Sequence, residues 1–423
     1  MTGRSIVIKS PGREGQVLNV VIVGNSAAGI AAAETLRGLE PLAKITVLSE
    51  ENHPPYSRCL ITEVVAGSAG LDSIRYRSDQ FYEDQVIGLV RGARVNSIDP
   101  AGRRVLFGEA GEMPYDKLLL ATGSRPVGIE VEGAELEGVF ALRSYDQAEA
   151  IARQASVAGE TVVIGGGLVG LKAAYALRRG GCPVTVVVKS GHLLTRQLDA
   201  ASAAMVEKEL IDAGISFIYG QNPVGFSPGA GGKEIRSVTL EDGREIPAEL
   251  VLVAKGVIAN AELVREAGGE TAAGIKVNEF METSLPDVYA AGDCIEVRDC
   301  VTGRQTPSAL WTLAVEQGRY AAYNLAGRRK PYPLPLTRMN AAQFGGLPFI
   351  SVGAVDEGEE VLTWKEPGVY RRLAIRGDLL IGAILVGSLE AAGIYTSLIK
   401  NRRPLGDLRE GLLKGRVSAA SFI

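Results

Sequence analysis

Two glycine-rich segments carry the clearest chemistry in this chain. VVIVGNSAAG occupies residues 20–29 and VVIGGGLVG residues 162–170. Each follows a run of β-branched residues and opens an Ala/Leu-rich stretch, the strand–turn–helix context that a dinucleotide fingerprint requires. Glycines let the backbone turn tightly and approach a pyrophosphate, and the helix N-terminus stabilises its charge. The first motif offers Gly24, Ser26, Ala27, Ala28 and Gly29 as contacts. Ser26 stands where a glycine is usual and still permits fairly close approach. The second motif, Gly165, Gly167, Leu168, Val169 and Gly170, is complete. Two motifs in one chain suit two dinucleotides held side by side, and so electron transfer between a flavin and a nicotinamide.

Ribose recognition separates the two motifs. Glu50, just past the second strand, can accept a ribose hydroxyl, with Glu51 as the alternative. After the second motif the corresponding strand ends in Val188-Lys189, without an acid. NAD-binding motifs place an acidic residue there, whereas a cation accommodates the 2′-phosphate of NADP. Lys189 suits that phosphate, yet a backbone group or a later residue can serve the ribose of NADH. The coenzyme is therefore read as NADH or NADPH. Asp293, after the apolar Val288–Ala290, can accept from a hydroxyl while its N–H supports a phosphate; the plain alternative is a helix cap.

The elements that must position these residues alternate. Strand Asn19–Val23, helix Ala27–Leu39 and strand Lys44–Ser49 form one βαβ unit, and residues 161–188 form a second. Apolar strands are expected at Leu118–Ala121, Leu250–Val253 and Val288–Ala290, and helices at 145–156 and near 311–326. If Gly292-Asp293 belongs with the first motif, the second unit is inserted within the first. Past Pro331, Pro333 and Pro335 the pattern changes to alternating strands, so this stretch reads as a linker. Residues 1–17 read as a loose arm.

The chain has 423 residues, 46% hydrophobic and 22% charged, with 52 glycines. That suits several globular domains with sizeable cores. No apolar run approaches membrane-spanning length and no signal-peptide pattern is evident, so a soluble cytoplasmic protein is expected. Four cysteines, without a CxxC pair, make neither a disulfide framework nor a zinc site, and no metal site is expected. Two histidines leave little for imidazole acid–base chemistry. The net charge is −4, but residues 328–423 hold 14 Lys/Arg against 9 Asp/Glu. A basic last segment can dock an acidic partner, or be a plain solvated surface. Nucleic-acid and membrane binding are not expected.

Further matches run in order along the chain: Pro55-Tyr56-Ser57-Arg58, Ala121-Thr122-Gly123-Ser124-Arg125-Pro126, Gly256-Val257, Asn260, Val288–Asp293 and Glu316-Gln317-Gly318. With the two fingerprints, they make the chain resemble the FAD-dependent pyridine nucleotide-disulfide oxidoreductases, and most of all the NADH:rubredoxin and ferredoxin reductases and NADH oxidases. The resemblance implies an α/β fold with two Rossmann-like three-layer dinucleotide-binding domains, one inserted in the other, and a C-terminal α+β interface domain. The expected boundaries are 18–140 and 263–330 for FAD, 141–262 for NAD(P)H and 331–423 for the interface domain. It implies that Ala121, Thr122, Gly123, Gly292 and Asp293 hold FAD, that Arg58 and Arg125 lie along it, and that Ser308–Thr312, with Trp311 and Thr312, approach the isoalloxazine edge. Gly256 joins the NAD(P)H site.

Two departures from the family pattern stand out. Relatives often pair a Lys at the position of Glu63 with a Glu at that of Lys172, near flavin N5. Here the signs are exchanged, and a charge-swapped Glu63–Lys172 pair is expected; the plain alternative is two ordinary helix residues. Cys59 resembles in placement the redox cysteine of some NADH oxidases and CoA-disulfide reductases, but without their Cys-Gly pattern. It is read as a packing thiol, with a redox role as the alternative.

The resemblance implies an NAD(P)H oxidoreductase that passes electrons through flavin to a small acidic iron–sulfur protein of the rubredoxin or ferredoxin type. The alternatives are an NADH oxidase or a CoA-disulfide or peroxide reductase using Cys59, an electron-input subunit of a nitrite reductase or CO dehydrogenase system, and an NADH-sensing flavoprotein. A homodimer is a modest expectation.

Overall fold

A computed structural model describes residues 17–417 apart from Ser308. Of the expected N-terminal arm, residues 1–16 lie outside the described residues, as does Ser308 of the segment expected at the isoalloxazine.

The two fingerprints open two sheets of one design. In the first, five strands run in parallel in the order Val288–Ala290, Lys117–Leu120, Asn19–Val23, Lys44–Leu48, Ile87–Val90. In the second the order is Val139–Ala141, Leu250–Val253, Thr161–Ile164, Val184–Val188, Ile215–Tyr219, again all parallel. Helices cover the faces of such sheets, so the strands read as unbroken apolar runs. Val20, Val21, Ile22, Leu118, Leu119, Leu120, Val162 and Val163 are all fully buried. Each unit also carries a three-stranded antiparallel sheet, Val95–Asp99 with Arg104–Phe107 and Gly111–Pro114 in one, Pro223–Pro228 with Ile235–Leu240 and Glu245–Pro247 in the other. The internal repeat is thus structural through and through.

The strand Val288–Ala290 returns to the first sheet after the whole second unit, which is therefore an insertion. Antiparallel strands Ser124–Pro126 and Val257–Ala259 carry the chain out and back. The expected boundary at 140/141 needs correction. Val139–Ala141 hydrogen-bonds into the second sheet, and Ile129, Val131, Ala134 and Leu136 pack against its core. The second unit recruits these residues because Leu250–Val253 would otherwise be left unpaired on that side.

Residues 331–335 have no regular structure. Beyond them, five antiparallel strands run in the order Met339–Phe344, Leu347–Gly353, Leu379–Val386, Val369–Arg376, Glu360–Glu366, backed by helix Ala392–Asn401. This sheet sits on the second unit: Phe344, Phe349, Tyr370, Ile384 and Val386 share a core with Val206 and Leu210. Polar contacts fix the seat. Tyr370 donates its hydroxyl to Asp199 at 2.5 Å, Arg372 approaches the same carboxylate at 3.3 Å, and the Ser351 hydroxyl donates to Gln197 O at 2.6 Å. No helix among the described residues is long and apolar enough to cross a membrane.

Candidate functional site

One continuous cavity of about 2820 Å³ joins all three parts. Helices Ala27–Leu39 and Leu168–Arg179 both begin at its wall. Their caps, Ser26 and Gly167, are extended and make no side-chain cap bond, and neither helix carries an acid in its first turn. The first N–H groups and the positive end of each helix dipole therefore stay free for an anion. Two other helices are closed by side chains: Ser144 with Gln147 forms a capping box, and Asp199 caps helix Ala200–Asp212.

The turns before these helices are built by close approach. Gly24 has φ +117°, and a Cβ there would lie 2.1 Å from Ala121 O; Gly165 has φ +122°, and a Cβ would lie 2.4 Å from Ala254 O. No side chain fits at either position. Gly29 and Gly170 lie deeper, packed on the carbonyls of Gly24 and Gly165. They shape the turns without lining the cavity.

The remaining candidates for FAD, namely Gly24, Ser26, Ala27, Ala28, Glu50, Arg58, Ala121, Thr122, Gly123, Arg125, Gly292, Asp293, Trp311 and Thr312, all line the cavity. Glu50 faces Arg94 at 3.3 Å, both being well exposed, a pair too weak to withhold the carboxylate from a ribose. Glu51 is committed elsewhere: it accepts from the Tyr56 hydroxyl at 2.5 Å and pairs with Arg58. Burial disfavours the Arg58 charge, but Glu51 overrides it and raises the guanidinium pKa. Arg125 donates to Asn260 Oδ1 at 3.0 Å and pairs with Glu262 at 2.8 Å.

Two residues of this wall escaped the sequence reading. Arg143 donates to Asp293 at 3.0 Å and to Ser124 O at 2.9 Å, and accepts Arg58 through its own carbonyl at 2.6 Å. Burial lowers its pKa, and Asp293 opposes that. It sits in no motif, so only the fold could find it. Asn25 lies within the first fingerprint; its Oδ1 accepts from Tyr82, while its Nδ2 is buried without a protein acceptor. An orphaned donor, free helix N–H groups and two arginines suit a cofactor carrying a pyrophosphate and hydroxyls, and the wall fits FAD.

At the second fingerprint, Gly165, Gly167, Leu168, Val169, Lys172, Lys189 and Gly256 line the cavity. The expected Glu63–Lys172 pair does not form. Glu63, in the short helix Ile61–Val65, pairs with Arg179 at 3.2 Å and accepts from the Ser68 hydroxyl at 2.8 Å. Lys172 and Arg179 are two turns apart on one helical face. Glu63 meets the far end of that face, outside the cavity, while Lys172 stays at the cavity without an ion-pair partner among the described residues. Cys59 also lines the cavity. Its crowded surroundings push the thiol pKa up, with the Lys172 ammonium opposing. All four cysteines are free thiols, and no cluster of metal-ligating side chains occurs among the described residues.

Two units of the dinucleotide-binding design share one cavity, the architecture of a flavin- and nicotinamide-dependent oxidoreductase family. Comparison with known proteins agrees. Residues 18–318 match the pyridine nucleotide-disulphide oxidoreductase family, and residues 335–403 match the rubredoxin NAD+ reductase C-terminal domain. The chain belongs to the pyridine nucleotide-disulphide oxidoreductase family, whose members are NAD(P)H-dependent flavin oxidoreductases using FAD. It is 32% identical over 389 residues to the assimilatory nitrate reductase electron transfer subunit of Bacillus subtilis (strain 168), covering 90% of this chain and 49% of that protein. It thus spans about half the length of the first curated relatives it matches. It is 33% identical to the rubredoxin-NAD(+) reductase of Pseudomonas putida, covering 75% of this chain and 82% of that one. A solved covalent putidaredoxin reductase–putidaredoxin complex matches with TM-score 0.86 at 27% identity, over 95% of this chain and 99% of that chain.

Proposed function

We propose that this chain carries electrons between a nicotinamide dinucleotide and a small iron–sulfur protein by way of FAD. One observation carries the reading: both fingerprint helices open onto a single cavity, whose third wall is a C-terminal domain of the rubredoxin reductase type. The names of the rubredoxin-NAD(+) reductase and of the putidaredoxin complex support the partner class. When bound, FAD supplies the step from two-electron hydride chemistry to one-electron transfer.

The chain's own residues bind and orient. Ser26 to Ala28 and Asn25 offer N–H donors to the FAD pyrophosphate, Glu50 an acceptor to its ribose, and Asp293, held by Arg143, an acceptor to a hydroxyl. Trp311, edge-on to Tyr76 at 5.1 Å, and Thr312 flank the reacting end together with Lys172 and Cys59. No protein base is required. Burial pushes the Cys59 thiol pKa up, opposed by the Lys172 ammonium, which disfavours the thiolate that a redox Cys59 needs.

For the partner, much of the basic excess is neutralised within the chain: Arg338 pairs with Asp356, Arg372 with Asp199, Arg409 with Glu360. Lys365, Arg376, Lys400, Arg402, Arg403 and Arg416 are exposed and without an ion-pair partner among the described residues, and are cations available to an acidic carrier. The test is anaerobic stopped-flow reduction of rubredoxin and of ferredoxin by NAD(P)H through this protein. Rapid reduction that slows as salt rises supports the reading. Slow reduction of both, beside fast oxygen consumption abolished by Cys59→Ser, overturns it in favour of the oxidase.

A second reading replaces the small carrier with a larger redox enzyme. The similarity to a nitrate reductase electron transfer subunit about twice this chain's length favours it. The chemistry up to the flavin is the same in both.

A further inference from the structure

The geometry points to NADPH, not NADH, as the dinucleotide held at the second fingerprint, with its 2′-phosphate on Lys189 and Arg196. The inference rests on the reading above that this half of the cavity holds a nicotinamide dinucleotide.

The strand that meets the adenosine ribose in such units is the second one, here Val184–Val188. An NAD site ends this strand with a carboxylate that accepts from the ribose hydroxyls. Here the end is Val188, 1% exposed and without an acceptor, followed by exposed Lys189. The change is not confined to one position. From residue 161 to residue 255, the cavity wall includes Lys172, Lys189, Arg196 and Lys255 and not one carboxylate. None of these four cations has an ion-pair partner among the described residues.

The first unit is built the other way. Its cavity cations are answered by acids: Arg58 by Glu51, Arg94 by Glu50, Arg125 by Glu262. Unpaired positive charge is thus concentrated where the second dinucleotide lies. Its pyrophosphate is already served by the free N–H groups of helix Leu168–Arg179. The surplus charge suits one more dianion.

The four cations divide by place. Lys172 acts on Cys59, at the reacting end. Lys255 follows the strand Leu250–Val253. Lys189 and Arg196 flank the turn after Val188, whose shape is set by Ser190 donating to His192 O at 2.9 Å and by His192 Nδ1 at 2.8 Å from Leu193 O. The Ser190 hydroxyl is spent on that turn, so the two cations are the donors. A phosphate gains charge-assisted bonds from both, whereas a ribose hydroxyl gains no strong acceptor.

Isothermal titration of the FAD-loaded protein with NADP+, NAD+ and 2′,5′-ADP tests this. NADP+ should bind roughly tenfold or more tightly than NAD+. Lys189→Ala and Arg196→Ala, both at exposed positions, should each weaken NADP+ and 2′,5′-ADP about fivefold or more and leave NAD+ within about twofold. NAD+ binding as tightly as NADP+, or equal loss of both in the variants, overturns the inference while leaving the proposed function standing. Failure of both dinucleotides to bind overturns the proposed function and the inference with it.

Discussion

Gly170→Ala separates the two dinucleotide sites by a single methyl group. The new Cβ would lie 2.3 Å from Gly165 O and 3.1 Å from the Ala254 side chain. An ordinary contact needs roughly 1 Å more, and a close-packed interior supplies no slack. The helix Leu168–Arg179 must retreat by about that distance from the turn it caps. Hydrogen bonds weaken steeply beyond about 3.5 Å, so the N–H groups aimed at the pyrophosphate lose their reach. Charge-assisted bonds of this kind contribute about 1.5–3 kcal/mol each, and losing one or two costs dinucleotide affinity of order a hundredfold. Overpacking alone costs about 1–3 kcal/mol of stability, which a protein of this size can survive. The assay is FAD content by visible absorbance, then titration with NADP+ and NAD+. Gly170→Ala should purify with full FAD and bind dinucleotide about a hundredfold more weakly. Gly29→Ala, whose Cβ would lie 1.9 Å from Gly24 O, should instead lose FAD. A Gly170→Ala protein that binds dinucleotide within about threefold of wild type, or that loses FAD, refutes the reasoning.

Glu63→Gln should leave the rate of flavin reduction unchanged and shift stability by no more than about 0.5 kcal/mol, because the Glu63–Arg179 pair is half-exposed and outside the cavity; stopped-flow absorbance and urea unfolding check both. Glu51→Gln removes the countercharge of Arg58 and should destabilise the FAD-loaded protein by about 1–3 kcal/mol in urea. Asp299, 2% exposed, accepts from the backbone N–H and hydroxyl of both Thr302 and Thr337, tying the linker to the first unit. Burial raises its carboxyl, and these donors win and hold it below the usual range. With the folded value lowered, its contribution is complete above the unfolded value of about 4 and is lost as pH falls through the folded one. Asp299→Asn should therefore cost about 1–3 kcal/mol at pH 7 and converge on wild type as pH falls through the range below about 4, read by urea unfolding at each pH.

The parts legible in the sequence are those where local rules act alone. A βαβ turn needs glycine at Gly24 and Gly165 whatever surrounds it, and strands Asn19–Val23 and Leu250–Val253 are apolar because both faces are covered. The strand Met339–Phe344 escaped because MNAAQF, at a half-exposed sheet edge, has neither an apolar run nor clear alternation. Arg143 escaped because its value lies in meeting Asp293, 150 residues away. The Glu63 partner was misread for a related reason: helix periodicity puts Lys172 and Arg179 on one face, and only packing selects between them. The boundary near residue 140 moved because strand pairing, not composition, assigns Val139–Ala141.

The central claim is that FAD is the only redox centre and that its electrons leave singly to a protein acceptor. Anaerobic reductive titration of the FAD-loaded protein, followed by absorbance, tests it most directly. Bleaching complete at two electrons, without a thiolate-to-flavin charge-transfer band, is the predicted result. Uptake of four electrons, with a long-wavelength band that disappears in Cys59→Ser, would contradict it and make Cys59 a second redox centre.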